Sequence, residues 1–233
     1  MNATALFDRY AQVYEEALQA GLRISGEQSA YFATRRMEET DKALRRIDPS
    51  LARHKAIDFG CGTGGSTQLL NEKLGFATVY GLDVSPISLS IATERFDDSL
   101  LTFQNIEDYS VSQDADLVFS NGVFHHIPPP KRHGSLTYIH SALKPGGLFV
   151  LWENNPWNPG VHYIMRAIPF DHNAKKVFPH AAIQMLRKAA FSIVQLRFFF
   201  VFPRSVAFLR TIEPAVSRLP LGAQYQIIAV KKR

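Results

Sequence analysis

The sequence predicts an α/β protein built on a doubly wound parallel sheet. Short apolar runs of strand character alternate with stretches of helical periodicity, the order that a parallel sheet covered on both faces requires. A loop with four glycines in six positions, at 60–65, follows the first predicted strand. The carboxylates of Asp58 and Asp83 lie at the ends of the first two strands. These features predict a ligand site at the carboxyl edge of the sheet.

Local signals support the individual elements. Apolar residues at helical spacing predict helices at 4–20, 27–47, 66–74 and 181–190, with a further helix that ends at Arg95. Ser85 before Pro86 supplies this last helix with an N-cap and a first-turn proline. Towards the C-terminus, strands are predicted at 192–202 and 224–230.

The length predicts one domain with additions. At 233 residues the chain exceeds a minimal core of this fold and falls short of two ordinary domains. We therefore predict a single domain, 1–233, with a ligand-binding core at 51–153. The remaining segments are predicted to form a cap, and they are the N-terminal helices at 1–50 and two insertions at 154–180 and 203–221.

Composition excludes several classes of protein. The formal charge of +5 is spread along the chain without a basic stripe interleaved with aromatic residues, so no nucleic-acid partner is expected. The single cysteine, Cys61, excludes an intrachain disulfide. No apolar run approaches the ~20 residues of a membrane span and no signal peptide is visible, so we expect a cytoplasmic protein. The oligomeric state stays open.

The glycine loop points to a nucleotide-type ligand. Glycines allow positive φ angles and close approach of the backbone, and a loop that enters a helix offers free N–H groups. Gly60, Gly62 and Gly65 match the dinucleotide fingerprint, so an NAD-dependent oxidoreductase remains an alternative. Asp58 would repel a pyrophosphate and favours a ligand with a cationic amino-acid end, such as S-adenosylmethionine. A catalytically inactive binding module is the other alternative.

Four sequence blocks resemble the class I S-adenosylmethionine-dependent methyltransferases. The blocks are DFGCGTGG at 58–65, GLDVSP at 81–86, DADLVFSNGVFHHI at 114–127 and LKPGGLFVLWEN at 143–154. They cover roughly the middle half of the chain in the order of that family. The resemblance implies a Rossmann-like sheet of seven strands with the last strand antiparallel, and S-adenosyl-L-methionine as the cofactor.

The resemblance also implies a set of cofactor-binding residues. Asp58 would lie beneath the ammonium group, the backbone of Gly60 and Gly62 would line the methionine end, and Asp83 would bind the ribose. Val84 and Ile106 would flank the adenine, and the Asn105 carboxamide replaces the acidic residue that often accepts its amino group. The set is completed by Cys61, by Asn121, and by Tyr14 and Arg35 on N-terminal helices that close over the cofactor in many relatives.

Candidate catalytic bases cluster where the fourth and fifth strands end. His125, His126 and Glu153 are the main candidates, because imidazole titrates near neutral pH and a carboxylate can orient it. Three weaker candidates lie in the first insertion, and they are His162, Asp171 and His172. No pair of ligands at i and i+4 on a helix is present, so no metal site is predicted. We predict O-methylation of a small-molecule acceptor, a sugar or a secondary metabolite, with Trp157 of the cap holding the acceptor.

Overall fold

The computed structural model describes residues 3–232, with side chains from residue 7 onward. The strands are β1 Lys55–Phe59, β2 Thr78–Asp83, β3 Leu101–Asn105, β4 Ala115–Asn121, β5 Leu143–Asn154, β6 Phe191–Phe199 and β7 Gln224–Lys231. They form one sheet in the order β3-β2-β1-β4-β5-β7-β6. Pairing is parallel from β3 to β5, and β7 is antiparallel to both of its neighbours. The predicted seven-stranded Rossmann-like fold is confirmed.

Helices cover both faces of this sheet. They are α1 Ala3–Tyr10, α2 Tyr14–Leu22, α3 Ser29–Ile47, α4 Gly65–Glu72, α5 Pro86–Arg95, α6 Pro129–Ala142, α7 Pro159–Ala167, α8 Pro179–Lys188 and α9 Glu213–Val216. The helix predicted at 4–20 is interrupted by a 3-10 turn, Ala11–Val13. None of the helices in the described range 3–232 is long and apolar enough to cross a membrane.

The core consists of two apolar layers, one on each face of the sheet. Because successive side chains of a strand point to opposite faces, Leu117 and Phe119 of β4 pack with α3 and α4, whereas Val118 packs with α6 and α8. β4 is buried along nearly its whole length. With helices on both faces of the sheet, this central strand is almost continuously buried, including its polar residues Asp116 and Ser120.

The N-terminal helices pack against both insertions. Gly21 of α2 lies so close to α7 and the residues after it that an added Cβ would come within 2.3 Å of Ile168 Cγ1. In the second insertion, the Arg210 guanidinium pairs with Glu27 at 2.9 Å. The parallel strands end at the same edge of the sheet, and these three segments gather there.

Candidate functional site

Backbone N–H groups of the glycine loop donate hydrogen bonds to the end of β2. Gly60 N donates to Leu82 O at 2.7 Å, and Gly62 N donates to the Asp83 carboxylate at 2.9 Å. Gly60 has a φ of +79°, and a Cβ there would lie 2.4 Å from Val123, so a side chain is excluded. Gly62 has a φ of +53°, and nothing lies within 4 Å of the position of its missing Cβ. The open side of Gly62 therefore has room for a ligand against the backbone.

Two buried carboxylates lie beside this loop. Asp58 accepts a hydrogen bond from Thr67 Oγ1 at 2.8 Å, and Asp83 also accepts one from Ser85 N at 2.9 Å. Burial raises the pKa of Asp58 to about 7. The hydrogen bond from Thr67 opposes this rise, and the negative charge of Asp83 adds to it. Burial likewise raises the pKa of Asp83. Neither carboxylate has an ion-pair partner among residues 3–232, so the site favours a ligand that brings positive charge.

The other predicted cofactor residues of the core lie around the same edge. Ile106 N donates to Asp83 O at 3.1 Å, which holds the end of β3 against β2. Asn105 Oδ1 accepts from Glu107 N at 2.9 Å, and a second lone pair of this oxygen stays available to a ligand. Val84 is half-buried beside Asp83. Cys61 is buried, and burial raises the pKa of its thiol well above the ordinary range, so it is not a thiolate nucleophile.

A cavity of about 300 Å³ adjoins the end of β4. Its walls come from α2, α3, α7, the turn before His172 and the segment that follows β6. Most of the lining is apolar, and Phe170 is a typical member. Asn121 and Gly122 line the side nearest the glycine loop, and Asn121 Oδ1 is buried without a hydrogen-bond partner in the described chain. The predicted residues Tyr14 and Asn121 thus meet in one cavity.

Arg36, and not the predicted Arg35, faces this cavity. Arg35 forms ion pairs with Glu38 at 3.1 Å and Glu39 at 3.0 Å, on another face of α3. The prediction for Arg35 is corrected because one residue turns a helix by about 100°. Helical spacing favours Arg36, because it lies four and eight residues before Thr40 and Leu44 and so shares a helix face with these buried residues.

The guanidinium of Arg36 is only partly satisfied. One of its terminal nitrogens donates to Gln224 Oε1 at 3.1 Å, and its Nε is buried with no hydrogen-bond partner in the described residues. Burial lowers its pKa to about 10, against the charges of Tyr14 and Glu15, so Arg36 is cationic at neutral pH. A buried donor left without a partner is costly, and an anionic ligand in the cavity would satisfy it.

His125 is a positioned cation, not a free base. Its Nδ1 lies 2.6 Å from Glu153 Oε2 and its Nε2 lies 3.3 Å from Asp171 Oδ1. Burial alone would lower the pKa of His125, but the charges and hydrogen bonds of Glu153 and Asp171 outweigh it and raise that pKa to about 10. Both ring nitrogens therefore donate, and the proposal of His125 as a base is corrected. Glu153 also accepts from Phe124 N at 2.7 Å, so its oxygens orient neighbouring groups.

His126 keeps a neutral imidazole. Its Nε2 lies 3.1 Å from Asp171 Oδ1, and the ring of Phe7 meets it edge-on at 4.9 Å. Burial and the adjacent positive charge of His125 lower the pKa of His126, and Asp171 only partly opposes them. Burial would raise the pKa of Asp171, but hydrogen bonds from both histidines lower it to about 2. His125, His126 and Asp171 offer ligand atoms within 4.8 Å of one another, a spacing that a metal ion can use.

Three predicted residues of the first insertion lie elsewhere. The His162 Nε2 is 2.7 Å from Pro156 O, and its other nitrogen meets Lys176. His172 is exposed. Trp157 is 47% exposed and stacks on His180, outside the lining of the cavity. Trp157 is therefore corrected from an acceptor contact to a surface packing residue.

The N-terminal helices lie over the carboxyl edge. Tyr14 stacks on Phe170 with ring centroids 4.7 Å apart, and burial raises the pKa of its phenol. On α1, the Asp8 carboxylate accepts a hydrogen bond from Ser85 Oγ at 2.6 Å. Since Ser85 follows Asp83 by two residues, this contact brings α1 beside the glycine loop.

Comparison with known proteins agrees with this geometry. A family model described as a methyltransferase domain matches residues 57–149, which include the glycine loop, Asp83 and the two histidines. This match supports a class I S-adenosylmethionine-dependent methyltransferase. This result confirms the resemblance drawn from the sequence and, at the level of the family, the predicted cofactor.

Named relatives of this chain are also methyltransferases. Trans-aconitate 2-methyltransferase from Rhodopseudomonas palustris (strain BisB5) is 32% identical over 147 residues, which are 63% of this chain and 56% of that protein. The enzyme of the same name from Escherichia coli O1:K1 / APEC is 29% identical over 143 residues, 61% of this chain and 56% of the relative. The chain thus matches little more than half the length of these relatives.

Solved structures of S-adenosylmethionine-dependent methyltransferases share the fold. A methyltransferase from Archaeoglobus fulgidus superposes with a TM-score of 0.60 at 21% identity, covering 84% of this chain and 94% of the other. One from Mesorhizobium loti gives a TM-score of 0.59 at 22% identity, covering 81% and 96%. At such identities the likeness describes the fold alone.

Proposed function

We propose that this chain transfers a methyl group from S-adenosylmethionine to an oxygen atom of a small-molecule acceptor held in the 300 Å³ cavity. The observation that carries the proposal is the pair of buried carboxylates, Asp58 and Asp83, without cationic partners beside the open face of Gly62. This combination fits a ligand that has an ammonium group, a ribose and no phosphate. A dinucleotide would bring a pyrophosphate towards the same negative charges.

Residues of the core would hold the cofactor. Asp58 would neutralise the ammonium group, and the backbone of Gly60 and Gly62 would line the amino-acid end. Asp83 has lone pairs left for the ribose hydroxyls, and the adenine would lie near Val84, Asn105 and Ile106. When bound, S-adenosylmethionine supplies a methyl group on a sulfonium, which an acceptor displaces in line. The protein aligns the acceptor oxygen for this displacement and keeps water away from it.

We further propose that the acceptor presents a carboxylate to Arg36. The unpartnered Nε of Arg36 offers a charged donor inside a mostly apolar cavity. The relatives named trans-aconitate 2-methyltransferase act, by that name, on a polycarboxylate. A carboxylate is already ionised at neutral pH, so no base is required. A sugar hydroxyl, the acceptor predicted from the sequence, would need a base, and the neutral His126 is the group in place for it.

The cap is proposed to close around the acceptor. The N-terminal segment 1–50 and the insertions 154–180 and 203–221 contribute Tyr14, Arg36, Phe170 and Pro203 to the cavity lining. Phe170 lies between Tyr14 and His126, with ring centroids 4.7 and 6.3 Å away respectively. Its apolar face would exclude water from the point where Asn121 faces the cavity.

A methylation assay tests the proposal. The chain is incubated with methyl-labelled S-adenosylmethionine and a panel of di- and tricarboxylic acids, with sugars as a separate arm. We expect labelled ester from a carboxylic acid, and Arg36→Gln should raise the KM for it by about 10- to 100-fold through the loss of a charge-assisted contact. The matched control is Arg35→Gln, one position away and turned from the cavity, which should leave KM unchanged. If the chain methylates a sugar and the Arg36→Gln variant has a normal KM for that sugar, the carboxylate assignment is wrong.

A further inference from the structure

A second concave surface lies on the other side of α3 from the candidate active site. It encloses about 420 Å³ between α3, β6 and the segment around α9. Five cationic side chains line it, and they are Arg35, Lys42, Arg46, Arg197 and Arg218. The lining has only two carboxylates, Glu39 and Glu213. We refer to this surface as the basic cleft.

Both carboxylates of the basic cleft are already engaged. Glu39 pairs with Arg35 at 3.0 Å and with Lys42 at 2.9 Å. Glu213 is buried, and its Oε1 accepts from the backbone N–H groups of Val201, at 2.7 Å, and Phe202, at 3.3 Å. Within the described part of the chain, Arg46, Arg197 and Arg218 form no ion pair. Three guanidinium groups therefore remain uncompensated.

These three arginines lie on different elements around one space. Arg46, near the end of α3, donates to Gln195 Oε1 on β6. Arg197 donates from its guanidinium to Leu196 O at 2.8 Å. Phe198 N donates to Ser217 O at 2.7 Å, which anchors the segment that carries Arg218 beside β6. Because the three arginines come from three different elements, the fold keeps their positive charges close together in one cleft. On a solvated helix face, by contrast, side chains of like charge can move apart.

We propose that the basic cleft binds a small polyphosphate anion, separately from the methyl-transfer site. Arginine guanidinium groups match phosphate oxygens through paired N–H donors. A cleft of 420 Å³ is of the size that holds a small ligand, whereas a nucleic-acid strand needs an extended basic track with aromatic stacking residues. The pKa of Arg197 is lowered, first by burial and then by the positive charges of Arg218 and Arg46. This lowering is the effect expected where cationic side chains lie close together without an anion between them.

Calorimetry on the full chain with inorganic pyrophosphate, without S-adenosylmethionine, tests the proposal. We expect saturable binding at one site, with the affinity lowered at least about tenfold in Arg197→Gln and in the exposed Arg218→Gln. The matched control is Arg187→Gln, which removes the same charge from an exposed position of α8 and should bind as the wild type does. Pyrophosphate should also raise the melting temperature of the wild type and of Arg187→Gln, and raise it less in the two cleft variants.

Several outcomes would overturn the inference. One is the absence of saturable pyrophosphate binding, and another is an equal loss of affinity in Arg187→Gln, which would indicate non-specific charge attraction. A third is binding of a single-stranded RNA oligonucleotide, or of vesicles containing phosphatidylserine, that depends on Arg197 while pyrophosphate does not compete. Because the titration omits the cofactor and the acceptor, its failure leaves the methyl-transfer proposal untouched.

Discussion

The imidazole of His125 lies between the carboxylates of Asp171 and Glu153, and its positive charge compensates these two buried negative charges. A buried cation with two anionic partners is stabilised only while all three groups are present. Of these two carboxylates, the neighbouring His126 contacts Asp171, and its lowered pKa keeps it neutral. Two adjacent histidines thus differ in charge because of which carboxylates they reach.

We expect His125→Ala to lower the free energy of unfolding by about 3–5 kcal/mol at pH 6, because it strands two buried carboxylates. The folded pKa of about 10 lies above the unfolded value of about 6.5, so the contribution of His125 is complete below pH 6.5 and is lost as the pH rises through 10. Urea denaturation at pH 6 and pH 10 should therefore show a smaller difference from wild type at the higher pH. His126→Ala is the control, with a smaller loss. A difference independent of pH would contradict the assigned charge of His125.

The sequence alone predicts some of these contacts but not all of them. His125, His126 and Glu153 follow from strand order, because the carboxyl ends of neighbouring parallel strands meet at one edge. Asp171, one of the weaker candidates in the first insertion, lies 46 residues from His125 in sequence and contacts it through the packing of that insertion. Arg36 was missed because the choice between adjacent arginines depends on helical phase.

At the scale of elements, Ser85 joins α5 to α1. Its hydroxyl accepts from Ser88 N at 3.1 Å as the N-cap of α5 and donates to Asp8 at 2.6 Å. The Ser85-Pro86 signal predicted the cap correctly, since capping depends only on neighbours in sequence. The contact with Asp8 spans 77 residues, and it follows from tertiary packing alone.

A double-mutant cycle measures this link. We expect Ser85→Ala to lower the free energy of unfolding by about 1–2 kcal/mol, because it removes both the cap and the anchor of α1. Asp8→Ala should cost about 0.5–1 kcal/mol in the wild-type background and close to nothing in the Ser85→Ala background. Urea denaturation of the four proteins gives the coupling. Fully additive losses would mean that α1 is held in place by other contacts.

At the scale of the whole molecule, the sheet was predictable and the cap was less so. Alternating strands and helices, with the glycine loop and the two acidic strand ends, predicted the sheet and its ligand edge. The break at Ala11–Val13 and the short helix α9 were not predicted.

Thermal unfolding with candidate cofactors separates the functional alternatives. S-adenosylmethionine at about 100 times its Kd should stabilise the fold by about 2.7 kcal/mol, which corresponds to a Tm rise of about 5–10 °C for a chain of this size. NAD at the same concentration should give no shift, and Asp83→Ala should lose most of the rise. A shift with NAD but not with S-adenosylmethionine would reverse the proposed assignment. A shift with S-adenosylmethionine but no turnover on any acceptor would indicate an inactive binding module.

Binding of the cofactor is expected to change the protonation state of the Asp58 carboxyl group. With a pKa of about 7 this group is half protonated near neutrality, and an ammonium group beside it would favour the ionised form. Binding should therefore release a fraction of a proton. Calorimetry at pH 6.5 in two buffers of different ionisation enthalpy would detect that release, and Asp58→Asn should remove most of it. Cofactor affinity would then rise as the medium becomes more alkaline, so ambient acidity would set the loaded fraction of the protein.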